Sequence, residues 1–412
     1  MLLMLVILNG NKLTFTRSIS ECYQKMNFKF SLLVFIYIHI CTSVRAESPT
    51  EKKGNDLKII CQYHLHTWYS PEFRDYFPEV IDEKQCTHIV YTDRVRSRNG
   101  TLSPSLHDGK KLYYGKIADF RRKGIHVSIR FFKFNLYVFA RTLNSDEERA
   151  DYVAALVAYM EKYQFDGFDP LWGCSSCIRG DGSDPYKDEH TILLMRQLYD
   201  AFKPRGWLLS VIISTDKRAI ELGFDIKQLS EYVEWMTPVP SYVRHNYTTL
   251  ISPLHSSIEN DTQNEQTVDW SINYLIEKGV PKPKIVLGTS TTTTMFQLKS
   301  AEENGLNAPS NSGWKSDFYE ICERVKQNNW TVVHESFGSY AFHDTEWITY
   351  MDVKDMRRCA EYALERNIGG VTLFDLNGDD FQDKCGCGKY PLLSALHQVL
   401  KSVDGPYIQN CT

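Results

Sequence analysis

Two carboxylates three residues apart, Asp166 and Asp169, stand in a short aromatic stretch that spans residues 163–173. A positioned carboxyl group can donate or accept a proton during a reaction, which typically contributes about 10²–10⁴-fold in rate. If the stretch is a β-strand, its side chains alternate between two faces, so Asp169, Leu171 and Gly173 share one face. The spacing therefore predicts a strand end that presents one acid, followed by an aliphatic side chain and a glycine.

A helix is predicted directly before this strand. Ser145 and Glu148 have the spacing of a capping box, in which each side chain bonds the other residue's backbone N–H. Apolar residues then recur at helical intervals, at Val153, Ala154, Val157 and Met160. The order helix, turn, strand is typical of α/β folds with a parallel sheet.

The stretch resembles the signature D-G-x-D-x-D-W-E of glycoside hydrolase family 18, the chitinases and chitinase-like proteins. Four positions match: Asp166, Gly167, Asp169 and Trp172. In that family the motif lies on the fourth strand of a (β/α)8 barrel, the substrate's own N-acetyl group is the nucleophile, and the final Glu protonates the leaving oxygen. Leu171 replaces the middle Asp and Gly173 replaces this Glu. Glycine has no proton to donate.

The resemblance implies that other groups of the family's site are replaced as well. The M-x-Y-D after strand six, whose Tyr and Asp hold the N-acetyl group, becomes residues 239–242, and the Y-G-R after strand seven becomes residues 292–294. Two glycines after strand three become Arg130 and Phe131, which could block the cleft. We therefore expect no catalytic residue. The vacated positions are Leu171, Gly173, Ser241, Tyr242 and Thr294.

Aromatic side chains at the strand ends could still stack on sugar rings, with core packing as the alternative for each. Phe374 stands where the family has the Trp that floors its sugar subsite. An open groove lined by such rings would favour sugar binding, whereas a plug formed by Arg130 or Tyr242 would favour a protein partner. The candidates for carbohydrate contact are Tyr63, Trp68, Phe131, Phe132, Asp169, Tyr242 and Phe374.

Asp166 and Gly167 are interpreted as structural, and Asp169 as an anchor inside the barrel, because an unpaired buried charge is costly. Trp172 points to the opposite face from Asp169 and is expected to pack in the core. Other acids could replace the missing donor, but they are expected at the surface, where charged residues mostly lie. These acids are Asp181, Asp184, Asp188, Glu189 and Asp375. The spacing of His88, His126 and His190 indicates no metal site, and no cofactor is predicted.

Eight short β-rich runs alternate with helical patterns, which predicts a closed parallel barrel. The runs are residues 58–63, 87–92, 125–131, 165–172, 207–214, 233–239, 284–289 and 370–376. The seventh connection, about residues 290–367, is too long for one helix, and the resemblance places a small α+β insertion there. The predicted fold is thus an α/β TIM barrel over residues 58–403, followed by a tail, residues 404–412.

The amino-terminal segment carries the features of a secretory signal peptide, residues 26–46. Lys29 precedes an apolar run, residues 31–40, which is too short to span a bilayer. Residues 1–25 are interpreted as an extension before the true start at Met26, with a genuine long leader as the alternative, and residues 47–57 as a linker. The formal net charge of −4 gives no broad basic footprint for nucleic acid. We expect a secreted, extracellular protein with no membrane span in the mature chain.

Secretion is consistent with the cysteines, since disulfides persist in oxidising compartments. The resemblance implies a disulfide between Cys61 and Cys86 and another between Cys322 and Cys385. Cys174 and Cys177 are expected to form a loop disulfide or to pair with another loop. Cys359, Cys387 and Cys411 stay unassigned. Glycosylation sequons stand at Asn99, Asn246, Asn260 and Asn329.

The resemblance thus implies a secreted chitinase-like protein that lacks catalysis and binds chitin or N-acetylglucosamine oligosaccharides. Two alternatives stay open. The first is a growth-factor-like or immune protein that acts through a protein partner. The second is an active glycoside hydrolase with a displaced acid.

Overall fold

The chain divides into two units, residues 1–52 and 53–412, and the described residues all fall in the second. The computed structural model describes residues 57–64, 77–98, 100–104, 113–132, 143, 145–172, 189–214, 217, 225–239, 246–256, 267–327, 329–335, 338–404 and 411. The predicted signal peptide and linker, residues 26–57, lie outside this set except for Leu57.

Parallel strands form the barrel that the sequence predicts. They are β1 (Lys58–His64), β2 (His88–Asp93), β5 (His126–Phe131), β6 (Gly167–Phe168), β7 (Leu171–Trp172), β8 (Leu208–Ser214), β9 (Trp235–Val239), β10 (Val286–Ser290) and β16 (Gly370–Phe374). Their hydrogen-bonded order is β10, β16, β1, β2, β5, β6, β8, with β7 and β9 both paired to β8. A parallel bridge between Met236 and Ile285 joins β9 to the segment before β10 and brings the ring close to closure. A separate hairpin joins β3 (Val95–Arg98) and β4 (Thr101–Pro104).

Helices follow most of the strands and cover the outside of the barrel. They are α1 (Tyr113–Arg122), α2 (Asp146–Tyr163), α3 (Glu189–Phe202), α4 (Ile226–Tyr232), α5 (Val268–Glu277), α6 (Phe318–Gln327), α7 (Val353–Arg366) and α8 (Pro391–Lys401). The capping box at the start of α2 is confirmed, with Ser145 and Glu148 bonding each other's backbone N–H. The apolar face of α2 was only partly predicted. Ala154 is exposed, because the helix turns Tyr152, Leu156 and Tyr159 toward the sheet instead.

The two faces of each strand pack into different layers, as alternation requires. On β1, Ile59, Cys61 and Tyr63 face outward into the large core shared with the helices. Ile60 belongs to a small apolar cluster inside the barrel that also contains Trp235. This alternation decides which side chains point into the barrel and can reach its mouth.

The insertion between the seventh and eighth barrel strands is confirmed as α+β. It combines α6 with a five-stranded antiparallel sheet in the order β12, β11, β15, β14, β13. Its strands are β11 (Thr292–Leu298), β12 (Ser310–Asp317), β13 (Thr331–Glu335), β14 (Gly338–His343) and β15 (Glu346–Tyr350). Thr294, at one of the vacated positions, is buried in β11 opposite Lys315 and Thr349.

Among the described residues, three disulfides cross-link the chain. Those between Cys61 and Cys86 and between Cys322 and Cys385 agree with the pairing implied by the resemblance. A third joins Cys387 to Cys411, two residues that the sequence left unassigned. Cys359 is a buried free thiol. Cys174 and Cys177 lie outside the described residues. Within the described part of the chain, no helix has both the length and the apolar character needed to cross a membrane.

Candidate functional site

Asp169, which directly follows β6 in the fourth barrel strand, has its carboxylate in a buried ion pair. Asp169 is only 1% exposed, and its Oδ1 lies 2.9 Å from Nη2 of Arg130. Nε of Arg130 donates to the Asp169 carbonyl oxygen at 3.0 Å, and the Ser210 hydroxyl donates to Oδ2 at 2.8 Å. Both carboxylate oxygens therefore accept hydrogen bonds, and the charge is neutralised inside the barrel. This agrees with the predicted anchoring role of Asp169.

Three neighbouring strands bring this group together. On β5, the side chains of Ser128 and Arg130 point into the barrel, because their neighbours along the strand point outward into the core. On β8, Ser210 points inward for the same reason, since Leu209 and Val211 point outward. Sequence analysis missed Ser210, although a serine within the apolar run of residues 207–214 is a usable signal. The buried Arg130 guanidinium needs the Asp169 carboxylate as its partner, because removing a guanidinium from water is costly without compensating hydrogen bonds. The Ser210 hydroxyl bonds the same carboxylate.

Phe374 lies at the end of the eighth strand, half-buried beside the ion pair. The guanidinium carbon of Arg130 is 5.8 Å from the centroid of its ring, within the range of a cation–π contact. Gly288 on β10 makes room for the ring. A Cβ there would lie 3.4 Å from Cε2 of Phe374 and 3.2 Å from the Pro238 carbonyl oxygen. Arg130 thus contacts both Asp169 and the ring of Phe374 inside the barrel.

Two predicted sugar-stacking residues face the wrong way. Tyr63 is fully buried and stacks on Tyr91 in the outer layer, with ring centroids 5.5 Å apart. Phe131 packs against Phe168 and Tyr159 in the same layer. Both predictions are wrong for the same reason. On β1 and β5, the side chains that point into the barrel belong to the residues adjacent to Tyr63 and Phe131, so these two rings point outward. Asp169 is likewise too enclosed to touch a sugar.

Other candidates are accessible or lie outside the described residues. Phe132 is half-buried, and the guanidinium carbon of Arg94 lies 5.2 Å from its ring centroid. Leu171 is 37% exposed on β7, so the position of the family's middle acid faces solvent with an aliphatic side chain. The structure does not describe Trp68, Gly173, Ser241 and Tyr242, nor the side chain of Trp172.

A second polar pair joins two neighbouring strands at the mouth, on the side opposite the fourth strand. Nδ1 of His64, at the end of β1, is 3.2 Å from Oδ2 of Asp375, the residue after β16. Both side chains are partly exposed. Asp375 is one of the acids that the sequence offers as a substitute for the family's proton donor. It follows the eighth strand, however, and the vacated acid position follows the fourth, half the ring away.

Among the described residues, one group has the compactness of a metal site: Cys322, Cys385 and Asp380. Its two sulfur atoms are joined in a disulfide, so neither is a thiolate ligand. His88 and His126 stack on each other with ring centroids 5.0 Å apart, whereas His190 contacts Arg149. These histidines therefore do not converge on one metal position.

The sequence model of glycosyl hydrolases family 18 matches residues 58–379, most of the chain. The chain belongs to glycoside hydrolase family 18. Among its relatives, Probable chitinase 10 of Drosophila melanogaster is 30% identical over 396 residues, which are 90% of this chain and 17% of that protein. The chain thus spans about a sixth of that relative.

Solved family 18 structures have the same barrel. Catalytic domain 2 of the Ostrinia furnacalis Group II chitinase has a TM-score of 0.79 and 28% identity, covering 85% of this chain and 98% of that domain. Human YKL-39, described as a pseudo-chitinase, has a TM-score of 0.74 and 22% identity, covering 84% and 99% of the two chains. The family thus contains both active and pseudo-enzymatic members on one fold.

Proposed function

We propose that this family 18 protein is a secreted, catalytically inactive chitinase-like protein that binds chitin or N-acetylglucosamine oligosaccharides. One observation carries the inactive half: Asp169 is bound on both oxygens and neutralised by Arg130. A carboxylate in this state cannot accept or relay a proton without breaking a buried ion pair. Leu171 and Gly173, at the positions of the other two acids, add no ionisable group.

The displaced-acid alternative depends on Asp375 or on a loop acid between residues 181 and 189. A general acid must lie within hydrogen-bond reach of the oxygen that it protonates. Asp375 follows the opposite strand of the barrel and faces His64. It would therefore have to serve a sugar bound in a different place from that of the family's substrate.

An activity assay tests the inactive half. The purified mature protein should release no fluorophore from a fluorogenic chitin oligomer at any pH from acid to neutral, since a missing acid alone removes about 10²–10⁴-fold. Asp375→Asn is the control variant. Turnover that this change abolishes, with the fold intact by circular dichroism, would establish Asp375 as a displaced acid and contradict the proposal.

The binding half rests on the remaining aromatic surface and on the relatives. A mutant of the Ostrinia domain has been solved in complex with penta-N-acetylchitooctaose, and human YKL-39 is described as retaining chitooligosaccharide binding properties. In this chain Phe374 and Phe132 remain half-buried at the strand ends. We propose that they carry the sugar contact, with Tyr242 as a further candidate.

Retention on chitin beads tests the binding half. Phe374→Ala should weaken binding about fivefold or more, because removing a stacking ring costs about 1 kcal/mol beyond its area. Tyr242→Ala is the companion variant. Trp314→Ala is the matched control, since Trp314 is an aromatic residue 54% exposed on the insertion. Retention unchanged by both cleft variants would place binding outside the mouth.

A protein partner is the second candidate function, and Arg130 favours it. Its side chain contacts both Asp169 and Phe374, and it stands at a position where the family has a glycine that lets the sugar approach. A cleft made shallow in this way would hold a chain of sugars less deeply. Failure of the wild-type protein to bind chitin beads, together with an unchanged fold, would favour this candidate.

Secretion and glycosylation belong to the same proposal. Asn246 and Asn329 are exposed, as glycan acceptors must be, and the three disulfides suit an oxidising compartment. When the protein is expressed in a secreting cell, we expect to recover it from the culture medium, with a mass that falls on treatment with an N-glycosidase. Asn246→Gln should reduce that fall in mass by the mass of one glycan.

A further inference from the structure

A pocket opens at the amino-terminal end of the barrel, opposite the mouth. It has a volume of about 340 Å³ and lies between the end of α1, the start of β5 and the turn after α2. Its polar walls are Arg121, Arg122, His126, Gln164 and Asp166. The active sites of such barrels lie at the other end, at the carboxyl-terminal ends of the strands. The function proposed above therefore does not use this pocket.

Asp166 organises the pocket from below. It is 8% exposed, and its Oδ1 accepts a hydrogen bond of 2.6 Å from the backbone N–H of Val127. Its Oδ2 lies 3.2 Å from Nδ1 of His126 and 3.3 Å from Nε of Arg121. One buried carboxylate thus fixes both an imidazole and a guanidinium at the same wall.

Arg121 is held in place by a second contact. Its Nη1 donates to the Gln164 carbonyl oxygen at 2.8 Å. A guanidinium has five N–H donors, and the two contacts with described residues leave several of them available. The side chain is 36% exposed. Such a preorganised guanidinium suits oxyanions, because its planar donors can form two parallel hydrogen bonds.

His126 completes the arrangement. Its ring stacks on His88, and Nδ1 faces Asp166, so Nε2 is the ring atom left for a ligand. The hydrogen bond to Asp166 raises the pKa of His126, against the opposing effects of burial and Arg121. The third cation, Arg122, pairs with Asp119 beside the pocket. Arg121 and His126 thus share the single carboxylate of Asp166, while Arg122 has Asp119 as its partner.

We propose that this amino-end pocket binds a small tetrahedral oxyanion, the phosphate or sulfate group of an ester or acidic glycan. Arg121 and His126 would donate to the anion, and Asp166 would hold both donors in position. Basic residues in the last turn of a helix also complement its dipole. That effect explains Arg121 and Arg122 on α1, but it explains neither the histidine nor the buried carboxylate that orients it.

Calorimetric titration with inorganic sulfate and inorganic phosphate, at constant ionic strength kept with sodium chloride, tests the proposal. Saturable binding to the wild-type protein is expected, and Arg121→Gln should weaken it at least tenfold. The matched control is Arg205→Gln. Arg205 also contacts a carboxylate, Glu161, and a carbonyl oxygen, that of Ala201, but it lies in the turn after α3 and does not line the pocket.

His126→Gln is the second variant, which keeps the test valid if Arg121→Gln impairs folding. Sulfate does not titrate near neutrality, so its affinity should fall from pH 5.5 to pH 8 in the wild-type protein and stay level in His126→Gln. The other ionisable groups that face this ring are Asp166, Arg121 and His88, and burial holds the pKa of His88 at about 3. No saturable heat, or equal affinity in Arg121→Gln and Arg205→Gln, would overturn the proposal.

The two sources of the oxyanion are separated by using glucose 6-phosphate and a sulfated disaccharide in place of the inorganic ions. Tighter binding of either than of its inorganic anion would identify the class of ligand. This outcome is independent of chitin binding at the mouth. Phe374→Ala should therefore leave sulfate binding unchanged.

Discussion

Replacing Asp169 by alanine should lower the free energy of unfolding by about 3–5 kcal/mol, measured by urea denaturation. The change leaves the Arg130 guanidinium buried without its carboxylate, and it removes the acceptor of the Ser210 hydroxyl. Breaking a buried ion pair costs this much because the surviving charge has lost its compensation. The pair as a whole is expected to contribute far less.

The double variant Arg130→Met with Asp169→Leu should therefore recover most of the loss, since apolar side chains of similar size need no partner. The control is Glu161→Ala, which breaks the half-exposed contact of 3.3 Å between Glu161 and Arg205. Surface pairs contribute about 1 kcal/mol or less. An Asp169→Ala variant no less stable than Glu161→Ala would mean that Arg130 does not depend on this carboxylate.

The barrel was predictable because each strand is a short apolar run of residues between helical patterns. Seven of the eight predicted runs became single strands with ends shifted by a residue or two. The fourth, residues 165–172, is interrupted between Phe168 and Leu171. Pro170 has no N–H to donate to a neighbouring strand, which accounts for the break.

The site was harder to predict, because a shift of one residue reverses the face of a strand side chain. The parity of the fourth strand was right, and Asp169 does face inward. On β1 and β5, however, aromatic character drew attention to Tyr63 and Phe131, while the inward residues are His64 and Arg130. Residue type alone does not tell which of two adjacent side chains on a strand points into the barrel. The register between neighbouring strands determines it.

The Arg130 and Asp169 pair also depends on contacts that a sequence does not display. The two residues are 39 positions apart on adjacent strands, and each alone would be a costly buried charge. The resemblance identified Arg130 as a substitution that could fill the cleft. It did not show that the arginine would pair with Asp169, one of the two aspartates of the motif that this chain retains. The arginine and this aspartate thus compensate each other's charge inside the barrel.

Acid should destabilise the protein through His88, at the amino-terminal end of the barrel interior. Burial, with smaller effects of His126, Lys58 and Lys401, lowers the pKa of His88 to about 3. In the unfolded chain its pKa is near 6.5, so between pH 6.5 and pH 3 the unfolded chain binds a proton that the folded protein does not. This contribution to stability is complete above pH 6.5 and is lost as the pH falls. At pH 4 the loss amounts to about 3 kcal/mol.

Other buried groups oppose this trend, so the wild-type curve alone does not isolate it. Burial raises the pKa of Asp379 to about 7, and this carboxyl group therefore favours folding as the pH falls. The difference between variant and wild-type curves removes such contributions. His88→Gln should be about 3 kcal/mol less sensitive to the change from pH 6.5 to pH 4, as measured by urea denaturation at each pH.

His88→Phe is the control for packing, because it keeps an aromatic ring beside Trp235 and has no proton to bind. The His88 ring meets Trp235 edge-on, with centroids 5.1 Å apart, so both variants are expected to lose some stability at every pH. A packing loss is the same at pH 4 and pH 6.5, whereas the proton linkage is present only at the lower pH. Wild-type and both variant curves that run parallel over this range would show that His88 takes up its proton without unfolding the barrel.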